Sequence, residues 1–337
     1  MALNLRTDVV DEKPGMDPRD GPTMQHSLQG RRMPLGIFAV PVALFGCGTW
    51  GKKQWLPVLV QLARWGVIHL TVVDRWHVAP AELAALAQEG VLEYRSWDDF
   101  EAAVVPYCWQ VAFVVTSATA HLHVIRRVVE RVPSLQVVVC EKPCGESHAQ
   151  MAEAVAVCQH AGVRLLVTDH YLLRPPVQYL LKRPHLLRDL GQVVRITVAM
   201  NETTHTGPTQ GVVADMAVHV LNVLGTLFPG AEFVPETAFL AHALHNAHTD
   251  EETYCFCLGQ LHLPAAPPVP CTLECGKQLE TDTKELTIIG THGRVQLNLV
   301  ANTLTLSTNQ NSEEVLQWSP EWFYARVICL TLATLST

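Results

Sequence analysis

Asp215 and His219 stand four residues apart in a stretch, Gly211 to Leu227, that reads as a helix. That spacing puts both on one face, one turn apart. A histidine is the natural general acid or base near neutral pH. An aspartate one turn before it can orient the ring or lower the cost of its cation. The same pair on an apolar helix is equally the pattern of a partly buried structural hydrogen bond. Lys142 follows an apolar run, Val137 to Cys140, and precedes Pro143. A lysine there can hydrogen-bond a substrate oxygen or help shift a proton; taken alone it is also the pattern of a solvated surface lysine. Metal chemistry is not expected. His242, His245 and His248 recur every three residues, but in a polar segment without helical patterning. The cysteines show no C-x-x-C spacing.

These groups need a scaffold, and the first half of the chain supplies one. Ile37 to Phe45 reads as a buried parallel strand. It runs into Gly46-Cys-Gly48-Thr49-Trp50-Gly51, a G-x-G-x-x-G. Gly46 lets the chain turn off the strand, Gly48 keeps a side chain away from an approaching pyrophosphate, and Gly51 lets the next helix pack close. The free N–H groups and positive end of that helix favour phosphates. A second apolar strand, Val67 to Val73, ends at Asp74, 26 residues after Gly48. Its carboxylate suits an adenosine ribose. Arg75 follows at once and suits a 2′-phosphate or the adenine face, so the two pull in opposite directions. The expectation is NAD or NADP, with NAD preferred.

Helix and strand patterns then alternate from 37 to 168, which predicts a parallel sheet with helices on both faces. Ligands bind such sheets at the carboxyl ends of the strands. Three clusters fall there: Thr116-Ser117-Ala-Thr-Ala-His121, Glu141-Lys142-Pro143 and Thr168-Asp-His170-Tyr171. Pro57 is expected to kink the first helix or mark its start. After residue 168 the strand candidates run in series: Gln192 to Met200, Thr253 to Leu263, Cys271 to Leu279, Glu285 to Ile289 and Arg294 to Leu299. Serial strands predict an antiparallel sheet in an α+β domain. The division expected is a disordered tail over 1–34, a dinucleotide-binding Rossmann domain over 35–168 and an α+β substrate and oligomerisation domain over 169–337. Trp318 to Leu335 is a final helix candidate.

Composition narrows the function classes. The chain has 337 residues, 48% apolar, with a net charge of −8. No basic block stands ready for phosphate backbones, which argues against nucleic acid. No apolar run reaches the length that spans a bilayer. Ten scattered cysteines suit reduced thiols in the cytoplasm better than a disulfide framework.

Together these motifs, with Asp215-Met-Ala-Val-His219 and Ile289-Gly-Thr-His-Gly293, resemble the glucose–fructose oxidoreductase / inositol 2-dehydrogenase (Gfo/Idh/MocA) family over nearly all of residues 37 to 300. The resemblance implies a Rossmann domain followed by an α+β domain whose open sheet often serves oligomerisation, hence a homo-oligomer. It implies hydride transfer between a nicotinamide and a hydroxyl carbon of a sugar, sugar derivative or cyclitol. It makes Lys142, Asp215 and His219 the candidate catalytic residues. Gly46, Gly48, Thr49, Trp50, Gly51, Asp74, Arg75, Thr116, Ser117, His121, Glu141 and Lys142 become the candidate cofactor contacts. His219 would take the hydroxyl proton, Lys142 would polarise the forming carbonyl and Asp215 would orient His219. Asp169-His-Tyr-Leu172 is also similar to the substrate motif of glucose-6-phosphate dehydrogenases, with Leu173 and Arg174 where a glycine and a lysine would stand. That makes His170, Tyr171 and Arg174 candidate substrate contacts. Family members that hydrolyse glycosides through tightly held NAD, and a decayed dinucleotide-binding protein, are the alternatives. The chain ends earlier than the resemblance leads one to expect.

Overall fold

The computed structural model describes residues 39–104, 106–203, 211–241, 252–264, 266–277, 279–309, 311–318 and 323–336. The expected tail and the three histidines at 242, 245 and 248 lie outside them. The first sheet is built from β1 (Val40–Phe45), β2 (Ile68–Asp74), β3 (Leu92–Ser96), β4 (Val111–Val114), β5 (Val137–Cys140) and β6 (Arg164–Val167). They lie in the order β3-β2-β1-β4-β5-β6, and every pairing is parallel. The order reverses between β1 and β4, which opens a crevice at their carboxyl ends. β1, β4 and β5 are the buried middle of the sheet, and their apolar runs fill both faces.

Helices cover the two faces. A π-helical turn, Gly51–Trp55, leads into α1 (Leu56–Arg64). Pro57 falls just after the π-helical turn, in the first turn of α1, so the helix that begins at residue 49 runs on through it. Then follow α2 (Ala81–Gln88), α3 (Trp97–Ala102), α4 (Ala118–Arg131) and α5 (His148–His160). Ser96 caps α3 in a capping box with Asp99.

A 3-10 turn, His170–Leu173, and the helices α6 (Pro175–Lys182) and α7 (His185–Arg188) link to the second sheet. Its strands are β7 (Val193–Glu202), β8 (Glu232–Ala241), β9 (Tyr254–His262), β10 (Val269–Lys277), β11 (Thr283–Gly290), β12 (Gly293–Asn298), β13 (Thr303–Thr308) and β14 (Asn311–Gln317). The order is β14-β13-β12-β11-β7-β10-β9-β8. β7 and β10 pair in parallel and all other neighbours are antiparallel, as serial strands require. One face of this sheet packs on a second π turn, Val213–Ala217, and on α8 (Val218–Leu227).

The last helix, α9 (Phe323–Ala333), does not stay with that sheet. Tyr324 and Ile328 are buried in the core between the first sheet and α1. No helix among the described residues is long and apolar enough to cross a membrane.

Candidate active site

The glycine loop after β1 has the shape its spacing demands. Gly46 has φ +89°, and a Cβ there would lie 2.8 Å from Thr116. A Cβ on Gly51 would lie 2.7 Å from the Gly46 carbonyl, so no larger residue lets the helix sit this close. A Cβ on Gly48 would meet nothing within 4 Å. Gly48, Thr49 and Trp50 are exposed at the helix start, an open cradle in front of the helix N-terminus. The residues present therefore fit a dinucleotide pyrophosphate.

Asp74 closes this loop. Its Oδ2 accepts from the Cys47 N–H at 2.6 Å and its Oδ1 from the Arg75 N–H at 2.7 Å. The Arg75 guanidinium lies 4.5 Å from the centre of the Trp76 ring. Thr116 and Ser117 stand beside Gly46 at the end of β4, with the Ser117 and Thr119 hydroxyls 2.9 Å apart. His121 lies behind this wall and not on it. It is buried, with Nδ1 2.8 Å from the Pro143 carbonyl and Nε2 2.9 Å from the Thr116 carbonyl. It ties the loop after β4 to the loop after β5, so its geometry is that of a brace for both.

Glu141 is also internal. Its Oε1 accepts from the Trp55 indole at 2.8 Å and the Trp50 indole at 3.1 Å, while Oε2 accepts from the Lys142 N–H at 3.2 Å. The carboxylate thus sets the first turn of the nucleotide helix against the Lys142 loop. Glu141→Ala should strand the fully buried Trp55 N–H and lower stability by about 1–3 kcal/mol, the cost of a buried unpaired donor. Thermal unfolding of the variant reads this directly; an unchanged midpoint would remove Glu141 from the structural account.

Lys142 reaches across to the second domain. Its Nζ donates to the Asp215 carbonyl at 2.7 Å and to Asp215 Oδ1 at 2.6 Å. Asp215 Oδ2 lies 2.6 Å from Lys277 Nζ, and Lys277 lies 3.5 Å from Glu202, which in turn holds Lys284 at 2.6 Å. Burial works against the Asp215 charge, yet Lys142 and Lys277 outweigh it and hold the carboxyl far below the usual range.

His219 is 2% exposed, and its partner is Asp169, not Asp215. Nδ1 lies 2.8 Å from Asp169 Oδ1. Two ammonium groups compete for Asp215 far more strongly than a neutral ring does, so that carboxylate faces the lysines. Asp169 is fixed in turn: its Oδ1 accepts from the Tyr171 N–H and its Oδ2 from the Asn222 amide at 2.9 Å. Burial pushes the His219 imidazole below its ordinary value, and the Asp169 contact only partly opposes that. A neutral ring whose Nδ1–H points at a carboxylate carries its lone pair on Nε2, which makes it a base.

His170 and Tyr171 pack their rings on His219, at 4.8 and 4.6 Å between centres. Tyr171 is buried, with Lys284 and Arg174 over its ring at 5.6 and 5.7 Å. Burial first, then His219 and Lys142, push the His170 imidazole down. Arg174 donates to Asn302 at 3.3 Å. The Trp50 ring, 6.2 Å from His170, joins the two halves of the cluster.

Three groups here escaped sequence reasoning, Glu202, Lys277 and Lys284, while Asp169 stood in a quoted motif without a role. A signal existed for all three. Glu202 continues the inward alternation Ile196, Val198, Met200; Lys277 continues Cys271, Leu273, Cys275; Lys284 precedes Leu286 and Ile288. A charge where the period of two calls for an apolar residue faces a core or a site.

Residues 40–169 match a family described as an oxidoreductase family with an NAD-binding Rossmann fold, GFO_IDH_MocA. No curated protein sequence matches the chain. Among solved structures, UDP-N-acetylglucosamine 3-dehydrogenase GnnA from Acidithiobacillus ferrooxidans is 16% identical, with TM-score 0.69 over 89% of this chain and 90% of that one. KijD10, a 3-ketoreductase from Actinomadura kijaniata solved with TDP-benzene and NADP, is 19% identical, with TM-score 0.69 over 88% and 90%. An oxidoreductase from Pseudomonas syringae is 14% identical, with TM-score 0.67 over 85% and 84%. At these identities the likeness is one of fold, and it spans both domains. The family resemblance is carried by the nucleotide domain: it is residues 40–169 that match the Gfo/Idh/MocA oxidoreductases.

Proposed function

We propose that the protein transfers hydride between a nicotinamide cofactor and a hydroxyl-bearing carbon of a sugar, sugar derivative or cyclitol. The observation that carries this reading is His219 held by Asp169, with its ring on His170, which meets Trp50 of the glycine loop, and with the Lys142–Asp215 pair beside it. When bound, the nicotinamide supplies the site that accepts or donates hydride. His219 Nε2 takes the hydroxyl proton during oxidation. The Lys142 ammonium has three N–H groups, two of them on Asp215. The third polarises the substrate oxygen. Asp215 keeps that ammonium in place, and Trp50, His170 and Tyr171 wall the cleft. The two-domain division at about residue 168, a cytoplasmic setting suited to ten free cysteines, and a homo-oligomer formed through the outer face of the second sheet belong to the same reading.

The test is a panel of polyols, sugars, sugar phosphates and nucleotide sugars with both cofactors, followed at the reduced-nicotinamide absorbance. Nucleotide sugars belong on it because the GnnA and KijD10 names point to them. A steady absorbance change with one class supports the proposal. Released sugar without net reduction favours the hydrolase, and cofactor binding with no turnover favours a sensor.

NAD is the preferred cofactor in this reading, because the Asp74 carboxylate repels a 2′-phosphate, while Arg75 lets NADP be tolerated. Asp74→Ser should shift the ratio of efficiencies toward NADP. It should also weaken both cofactors, since Oδ2 no longer holds the Cys47 N–H of the loop. Fluorescence titration with each dinucleotide checks both effects; an unchanged ratio would show that Asp74 does not face the ribose.

A further inference from the structure

The second sheet ends in charge on its inner face, and the charges form a chain. Lys142, Asp215, Lys277, Glu202 and Lys284 follow one another in alternating sign, each within ion-pair distance of the next. None of the five side chains is more than 27% exposed. Lys277 and Glu202 are register partners on the parallel strands β10 and β7, so the sheet's own hydrogen bonds fix their approach. The chain therefore runs from a loop of the nucleotide domain to the rigid middle of the other domain.

Asp215 is the link that needs support. It sits in a π turn, not in a regular helix. Each of its carboxylate oxygens serves a different ammonium: Oδ1 takes Lys142 and Oδ2 takes Lys277. A carboxylate bridging two cations cannot rotate without breaking one pair. Released from Lys277, it is free to turn about its own axis and leave the Lys142 ammonium on the Asp215 carbonyl alone.

We propose that Lys277 is a positioning residue, which pins Asp215 from the second sheet and so aims Lys142 at the substrate oxygen. This rests on the reading of Lys142 as the group that meets substrate. Lys277 touches Asp215 and Glu202; its effect on the reaction passes through Asp215. The charged and titratable groups facing Asp215 are Lys142 from the loop after β5, Lys277 from β10, Glu202 from β7 beyond Lys277, and His219 from α8.

Two measurements on the whole protein test this, with Lys277→Gln and Lys277→Arg. The first needs no substrate. Asp215 ionises more easily than an ordinary carboxyl because of its two lysines, so its contribution to stability is full above about pH 4 and is lost as pH falls through its folded value. Without the Lys277 charge the folded value rises, so there is less to lose and the loss, which still begins near pH 4, is complete at higher pH. The acid end of the downturn in melting temperature should move up by about one unit in Lys277→Gln and stay in place in Lys277→Arg. The shift should vanish when Asp215→Asn is the background. The second uses the substrate found on the panel: kcat should fall about 10- to 100-fold in Lys277→Gln with KM within about threefold, the mark of a misaimed group. Lys277→Arg should recover most of it. An unmoved downturn in a folded Lys277→Gln overturns the clamp. A moved downturn with kcat within about twofold of wild type overturns the positioning role while leaving Lys142 its own. A wild type that turns over nothing on the panel overturns the positioning role as well, through the reading of Lys142, whatever the acid limb does.

Discussion

Asp169→Ala is expected to lower turnover about as far as His219→Ala itself, roughly 10²–10⁴-fold. The reason is that a base must be both deprotonated and aimed. Burial pushes the His219 imidazole below its ordinary value, but it does not choose which nitrogen carries the proton. Asp169 chooses: its Oδ1, 2.8 Å from Nδ1, draws the proton there and leaves Nε2 bare. Removing the carboxylate frees the ring to take the other tautomer or to turn. Asp169→Asn is the informative control. The Tyr171 N–H keeps an oxygen, not an NH2, at the Oδ1 position, so the amide still accepts from Nδ1, and the Asn222 amide has only to turn round. Its loss should be much smaller than that of the alanine variant. In the oxidation direction the wild-type acid limb should lie below the ordinary imidazole value of about 6.5, because activity is lost only as His219 gains a proton. If Asp169→Ala turns over within about threefold of wild type, Asp169 does not set the ring.

Asp215→Ala should be the most destabilising single change in the site, by about 3–5 kcal/mol. It leaves Lys142 and Lys277 without the carboxylate between them, with Glu202 alone for Lys277 and Lys284. An uncompensated charge in a partly dry cleft is among the few surface-remote changes with so large a cost. The effect has a pH signature. A depressed carboxyl stabilises the fold above its unfolded value, near pH 4, and stops doing so as pH falls through the folded value. The variant should therefore lose most relative to wild type at neutral pH and converge on it in strong acid. Denaturant unfolding at pH 7 and pH 3 measures both; a deficit that does not shrink toward acid would show that packing, not the ion pairs, carries Asp215.

The nucleotide domain was legible because its physics is local. Apolar runs of four to seven residues, a glycine pattern and an acid at the next strand's tip fix the sheet and its crevice. β3 escaped because only Leu92 and Ser96 of its five residues are buried. In the second domain β8 escaped for a related reason. It lies at the sheet's edge with eight of its ten residues exposed and Pro235 inside it, so no alternation marks it. α6 opens on Pro175-Pro176, a start signal that went unread. In the site, the motifs named Lys142, Asp215 and His219, but not their pairing. Spacing shows that Asp215 and His219 share a face; it does not show that two lysines from elsewhere claim the aspartate, or that Asp169, 50 residues before His219, reaches the ring. Which carboxylate meets which cation is settled by tertiary competition.

The path of α9 bears on how the chain comes to be folded. Tyr324 sits 4.8 Å from the Trp55 ring, and Ile328 is wholly buried in the core shared with α1. During synthesis the nucleotide domain emerges first, and domains tend to fold in that order. Here its core lacks one wall until residues 323–333 have left the ribosome, after the whole second domain. The early domain must wait with Trp55 and its neighbours partly uncovered. The nucleotide domain is thus finished last, by residues that follow the second sheet, and a ribosome stalled anywhere in that sheet holds a nucleotide domain that is not yet closed.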